Sequence, residues 1–229
     1  MKTETPITLA DYIEKMVLAN PNQVISTFKD EINVYNVEEL NNRANLLAKG
    51  LLYNGVSKGT PVALVLSGTT NCLTFVIAIS KIGAIFVPLS NNFDLETILK
   101  VLKQEKIHTI GFYADMFLNK FQSIVPDYLN YERGYLQDKN LPDLKNVVTF
   151  GSIKSRGIFT TRELMLVGEH MDDIEMEAMI KEIKTTDLFI RQVTFDKKKK
   201  MNMTSKTHGE IITGNFSLPA LQNFLMNTI

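Results

Sequence analysis

Residues 62–89 read VALVLSGTTNCLTFVIAISKIGAIFVPL, and the succession of apolar runs and turns in this stretch decides the fold. Residues 62–66 are an unbroken apolar run of strand length, the mark of a parallel strand covered on both faces. Residues 70–81 have the length and spacing of a helix, and 84–87 return to a strand. The apolar segment 73–89 is interrupted by Lys81 and Pro88 and falls short of the roughly 20 residues that a spanning helix needs, so no membrane span is expected. Between strand and helix, Ser67-Gly68-Thr69-Thr70 reads as a turn with Thr69 or Thr70 as the helix cap.

The same alternation continues outward. Upstream, helical spacing covers 9–19, short strands are expected over 23–28 and 33–35 around a Lys29-Asp30-Glu31 turn, and a strong helix fills 37–53. That helix repeats Leu40, Ala44, Leu47 and Leu51 and is closed by Asn54-Gly55. Downstream come a helix over 94–104 capped by Asp94, a strand over 108–112, a helix over 114–125 and a strand over 146–150. Residues 126–140 read as a long loop, and 161–184 as one or two helices with a solvated acidic face. Strands alternating with helices of these lengths give an α/β fold with an open, mostly parallel sheet flanked by helices. One domain is expected across residues 1–229.

The 229 residues are 45% hydrophobic and 22% charged, ordinary for a soluble globular chain, and the formal net charge is zero. Nothing general therefore points to nucleic acid or an anionic membrane. A single cysteine, Cys72, excludes an internal disulfide framework and suits a reducing compartment; with no targeting segment legible, a cytoplasmic location is expected. Cys72 lies early in an apolar helix and reads as buried filler. His108 sits in a strand and His170 in a polar helix with no partner at metal-ligand spacing, so no metal is expected. Met165, Met171, Met176, Met179, Met201 and Met203 read as adaptable packing.

Residues 33–93, NVYNVEELNNRANLLAKGLLYNGVSKGTPVALVLSGTTNCLTFVIAISKIGAIFVPLSNNF, resemble the N-terminal region of adenylate-forming acyl-CoA synthetases, the fatty-acid–CoA ligases. The resemblance is carried by a helix entry at 38–40, a Gly-Val-x-Lys-Gly turn within 55–63, a Lys-x-Gly-Ala helix end at 81–84 and the strand end at 87–89. Residues 141–165, LPDLKNVVTFGSIKSRGIFTTRELM, also look like the family's stretch before its ATP loop. The likeness spans roughly residues 5–215. It implies the fold already read, a ligase ancestry, and ATP with magnesium and CoA as the family's cofactors.

The family's glycine-rich ATP loop, Thr-[Ser/Gly]-Ser-Gly-Thr-Thr-Gly-x-Pro-Lys-Gly followed by Thr-His, falls on residues 194–208. Here that stretch reads Thr194-Phe195-Asp196-Lys197-Lys198-Lys199-Lys200-Met201-Asn202-Met203-Thr204-Ser205-Lys206-Thr207-His208. Thr194 and the Thr207-His208 pair match. Phe195 stands at the serine, Asp196, Lys199 and Met203 at glycines, Lys197 and Lys198 at threonines, Met201 at the proline and Asn202 at the lysine that contacts phosphate. Cradling a phosphate needs successive N–H groups turned onto one anion, which glycine tolerates. Asp or Lys held that way costs roughly 1–2 kcal/mol each. Residues 195–206 are thus expected to be a degenerate phosphate loop, with no catalytic residue and no retained cofactor. Thr194, Lys197, Lys198, Lys199, Lys200, Thr207 and His208 mark the vestigial site.

Three functions follow. The first is a ligase homologue without ATP-dependent activity of its own, an interaction or regulatory module or a remnant. The second is one half of a split ligase completed by another chain. The third is an acyl, CoA or nucleotide binder that uses the lysines as a crude phosphate clamp. The Leu218, Leu221, Phe224 and Leu225 stripe needs a cover, either the chain's own sheet or a second copy, and homo-oligomerisation or a ligase-remainder chain at the exposed sheet end is expected.

Overall fold

A computed structural model describes residues 7–25, 34–151, 153–196, 200–212 and 216–227. In chain order the elements are α1 (Leu9–Ala19), β1 (Val24–Ile25), β2 (Tyr35–Asn36), α2 (Val37–Tyr53), β3 (Pro61–Val65), α3 (Thr70–Lys81) and β4 (Ile85–Leu89). Then follow α4 (Leu95–Gln104), β5 (Thr109–Phe112), α5 (Ala114–Ile124), β6 (Asn146–Thr149), β7 (Phe159–Thr160), α6 (Thr161–Glu169) and α7 (Asp173–Glu182). The chain closes with β8 (Leu188–Phe195), β9 (Met201–Thr207), α8 (His208–Ile211) and α9 (Leu218–Asn227).

Seven strands form one sheet in the order β7-β6-β5-β3-β4-β8-β9, parallel throughout except for the β8–β9 hairpin. This is the mixed α/β architecture expected, an open, mostly parallel sheet with helices on both faces. β1 and β2 pair separately as a small antiparallel ribbon, and residues 26–33, which hold the expected Lys29-Asp30-Glu31 turn, lie outside the described residues.

Strand alternation distributes the core. Val62, Leu64 and Leu66 join α1, α2, α3, α6 and α9 in one apolar cluster, while Ala63 and Val65 face the other cluster with α4 and α5. Every residue of α3 except Asn71 is buried, the condition of a helix that is apolar all round. Its cap is Thr69, whose Oγ1 accepts the Cys72 N–H at 3.2 Å. Capping boxes start α1 (Thr8 with Asp11), α2 (Asn36 with Glu39) and α6 (Thr160 with Glu163), so four orphan helix ends are satisfied locally. α2 and α6 approach so closely that a Cβ on Gly50 would stand 2.0 Å from Leu164 O, and one on Gly168 2.0 Å from Leu46 O.

One expectation changes. Residues 195–206 are not a continuous loop: Phe195 ends β8, and β9 takes up Met201–Thr207, leaving only 196–200 as the connection. Of the two covers expected for the Leu218, Leu221, Phe224 and Leu225 stripe, the chain's own core takes up Leu218, Leu221 and Leu225, while the Phe224 side chain lies outside the described residues. The loop over 126–140 contains one 3-10 turn, Tyr128–Asn130, and the two-residue strand β7 is added at the far edge.

The most deeply buried charge among the described residues is Lys81, whose side chain is 0% exposed and whose ammonium lies 2.5 Å from Glu14 Oε1. The pair fastens α1 to the end of α3. Burial pulls the Lys81 pKa down, and the Glu14 carboxylate works against that shift. Glu14 itself is 42% exposed, which screens the pair and places its removal below the cost of a fully buried one. Glu14→Gln is expected to destabilise the fold by about 1–3 kcal/mol, and Lys81→Met by less, because methionine leaves no charge stranded. Urea unfolding midpoints of the two variants check the order.

Candidate functional site

The stretch that the resemblance assigns to the ATP loop forms a hairpin at the sheet's end. β8 joins the parallel sheet through Phe86↔Ile190, and β9 returns beside it in the register Phe195↔Met201, Thr194↔Asn202, Val193↔Met203, Gln192↔Thr204 and Arg191↔Ser205. Beneath it, Arg191 makes a two-pronged ion pair with the buried Glu105 at the end of α4, Nε to Oε2 at 2.9 Å and a terminal nitrogen to Oε1 at 3.3 Å. Val193, Met201 and Met203 pack on the α4–α5 side of the core. Lys120 on α5 donates to the carbonyls of Asn91 and Phe93, which holds the Phe93 ring where Phe195 meets it edge-on, 5.8 Å between centroids.

At the tip, the Asp196 N–H donates to Lys200 O at 3.0 Å, and the Lys200 N–H donates to the Asp196 carboxylate at 2.8 Å. The turn therefore carries its own anion: the donor that a phosphate oxygen would take from Lys200 is already given to Asp196. Phe195, at the serine position of the resemblance, remains 47% exposed beside Phe93. Lys200 is exposed and forms no ion pair among the described residues; Lys197, Lys198 and Lys199 lie outside them.

Thr207 and His208 stand at the other end of β9, seven residues from Lys200, about 23 Å at strand rise. The structure thus separates the candidate residues into two groups: Thr194 and Lys200 near the tip, Thr207 and His208 at the base. Thr207 caps α8; its N–H donates to Glu210 Oε2 at 2.7 Å, and its Oγ1 accepts the Glu210 N–H at 3.3 Å. His208 is 0% exposed and stacks on Phe189 with centroids 4.6 Å apart, both ring nitrogens lacking a hydrogen-bond partner among the described residues. Burial depresses its pKa to about 4, against the pull of Asp187 and Asp11. Burial alone would raise the Asp187 carboxyl, but the Lys184 N–H at 2.7 Å and the Lys58 ammonium at 2.6 Å outweigh it and hold it low.

The remaining candidates are structural. Burial raises the Cys72 thiol pKa to about 12, so the group is an inert core thiol. No cluster of three metal-ligating side chains occurs among the described residues, and no described helix is long and apolar enough to cross a membrane. A cavity of about 610 Å³ between α1, α2 and α7 includes Glu14, Lys49 and Asp173, but none of its lining residues belongs to the hairpin, and Lys49 is already paired with Asp173. The Phe93–Phe195 contact and the Glu105 anchor were not foreseen; a lone arginine inside an apolar strand, Arg191, is the one sequence signal that a buried carboxylate stands opposite.

Comparison with known proteins places this geometry in context. The AMP-binding enzyme family model matches residues 13–149, ending before β8. The acyl-CoA synthetase YngI, by its name, of Bacillus subtilis (strain 168) is 25% identical over 208 residues, covering 88% of this chain and 36% of YngI. The anthranilate CoA ligase AuaEII, crystallised with anthranoyl-AMP, superposes with a TM-score of 0.69 at 16% identity, over 89% of this chain and 35% of that one. The long-chain-fatty-acid-CoA ligase FadD1 of Archaeoglobus fulgidus gives 0.67 at 17% identity, over 91% and 38%. The chain spans about a third of the length of these proteins.

His208 makes stability depend on pH with a definite sign. Its folded pKa lies below the ordinary 6.5, so stability is complete above that value and falls as pH drops toward 4, because only the unfolded chain then takes up the proton. The loss should total about 3 kcal/mol. His208→Phe, which keeps the stack on Phe189, should flatten most of the slope between pH 6.5 and 4.5 in denaturant titrations, leaving the share of His108, whose pKa burial also lowers.

Proposed function

Because the chain belongs to the AMP-binding enzyme family, we propose that it is a homologue of acyl-CoA synthetases without ATP-dependent ligase activity of its own, serving as a protein-interaction module. The observation that carries this reading is the Asp196–Lys200 turn. Ligation through an adenylate needs ATP aligned against a carboxylate and positive or N–H groups aimed at the charge on the departing pyrophosphate. At the one position where the resemblance puts that cradle, a carboxylate already holds the Lys200 amide. An incoming phosphate would meet that negative charge at close range. Phe195 and Asn202 stand at the positions of the loop's serine and lysine, and neither supplies a cation.

The four lysines of residues 197–200 do not reverse this. In water each contributes on the order of 1 kcal/mol toward an anion, and salt screens it. They give a diffuse attraction without the shared geometry of a nest of N–H groups.

Calorimetric titration of the chain with magnesium and ATP is expected to give no saturable heat below about 1 mM. Asp196→Asn, which removes the charge and keeps the turn's shape, is expected to leave that result unchanged, because the amide oxygen still accepts from Lys200. Tight, magnesium-dependent ATP binding by the unaltered chain would contradict the reading.

A further inference from the structure

β9 is the last strand of the sheet, and no strand of the described residues pairs with its outer side. The Asp196 N–H to Lys200 O bond makes one of the two backbone bonds of a hydrogen-bonded pair at 196/200, just beyond the paired residues of the ladder, while the Lys200 N–H goes to the Asp196 carboxylate. Such pairs alternate with non-hydrogen-bonded ones. With the register 195↔201, 193↔203 and 191↔205, the N–H and C=O groups of Met201, Met203 and Ser205 therefore point away from β8. Outside the sheet's own ladder, no described residue makes a backbone hydrogen bond to those groups. The one irregularity in the β8–β9 pairing falls between Leu188 and Ile190, so the seven residues of β9 offer a regular, bulge-free edge.

Natural sheets blunt such edges by shortening them, bending them, placing proline in them, covering them or charging them. Among the described residues, β9 uses charge alone. Lys200 and Lys206 flank the three outward-facing residues, lie on the same face of the strand, and form no ion pair among the described residues. Charge on an edge selects by sign. A second copy docking antiparallel about Met203 would set Lys200 against its partner's Lys206, a like-charge pair directly across the ladder, which is destabilising. A strand with carboxylates on the corresponding face meets the same lysines favourably.

Resting on the interaction-module reading above, we propose that the outer edge of β9 binds an extended, acidic segment of a partner protein by strand addition, the backbone groups of Met201, Met203 and Ser205 supplying the ladder and Lys200 and Lys206 the sign selection.

The test uses a fluorescein-labelled heptapeptide, Thr-Glu-Val-Asp-Val-Glu-Thr with blocked ends, and its counterpart with lysine at the three acidic positions. Anisotropy at low salt should show the acidic peptide binding at least about tenfold more tightly than the basic one, with the difference shrinking as salt rises. Hydrogen exchange should show new protection at the Met203 and Ser205 amides. Ser205→Pro removes one outward N–H at an exposed position without touching a bond to β8 and should weaken binding about tenfold. Lys206→Glu, which keeps the backbone intact, should reverse the preference between the two peptides. Equal binding of both peptides, no binding of either, indifference to both substitutions, or a β9-paired dimer in light scattering would each overturn the proposal. Saturable ATP binding would remove the interaction-module reading while leaving the peptide result standing, so the two failures are distinguishable.

Discussion

The turn that closes the β8–β9 hairpin fixes most of what is distinctive about this chain. Two hydrogen bonds between Asp196 and Lys200 set the register of six residue pairs, and the register sets the rest. It turns Val193, Met201 and Met203 onto the core and leaves Gln192, Asn202, Thr204 and Lys206 on the opposite face. It places Arg191 over Glu105, so the strand that would slip by one residue would also pull a paired arginine away from a buried carboxylate. The same bonds consume the tip's amide donor and decide which backbone groups of β9 face outward.

The parallel sheet is indifferent to this substitution. Its order, its two apolar clusters and its helix caps are complete without any contribution from the tip, and its likeness to CoA ligases of known structure extends over about nine-tenths of the chain. A family scaffold has thus been kept while the segment that the resemblance assigns to phosphate has become a lysine-bearing turn around an internal carboxylate.

Most of the scaffold was legible in the sequence because its elements bury strong periodic signals. α1 and α2 begin and end where the helical spacing and the Asn54-Gly55 stop place them, and Asp94 and Thr69 cap α4 and α3 as their chemistry suggests. β9 was not legible: Asn202, Thr204, Ser205 and Lys206 are polar because an edge strand with one open side buries little, and such a strand reads as loop. β7, two residues long, carries no periodicity at all. In the candidate site, the loss of glycines was readable from the sequence, whereas the Asp196–Lys200 bonds and the Phe93–Phe195 contact depend on register and on a distant loop. His208 was legible as a helix-start neighbour; its complete burial against Phe189 depends on how β8 and β9 meet and was not.

The central claim is that the Lys200 backbone donor is already committed to Asp196. A 1H–15N correlation titration with magnesium pyrophosphate, following the Lys200 amide, addresses it most directly. The account predicts that this resonance stays in place, or drifts only linearly with ionic strength, through millimolar ligand. A saturable shift of the Lys200 amide at micromolar pyrophosphate, joined by the amides of neighbouring tip residues, would mean that the turn opens to hold phosphate and would contradict the account.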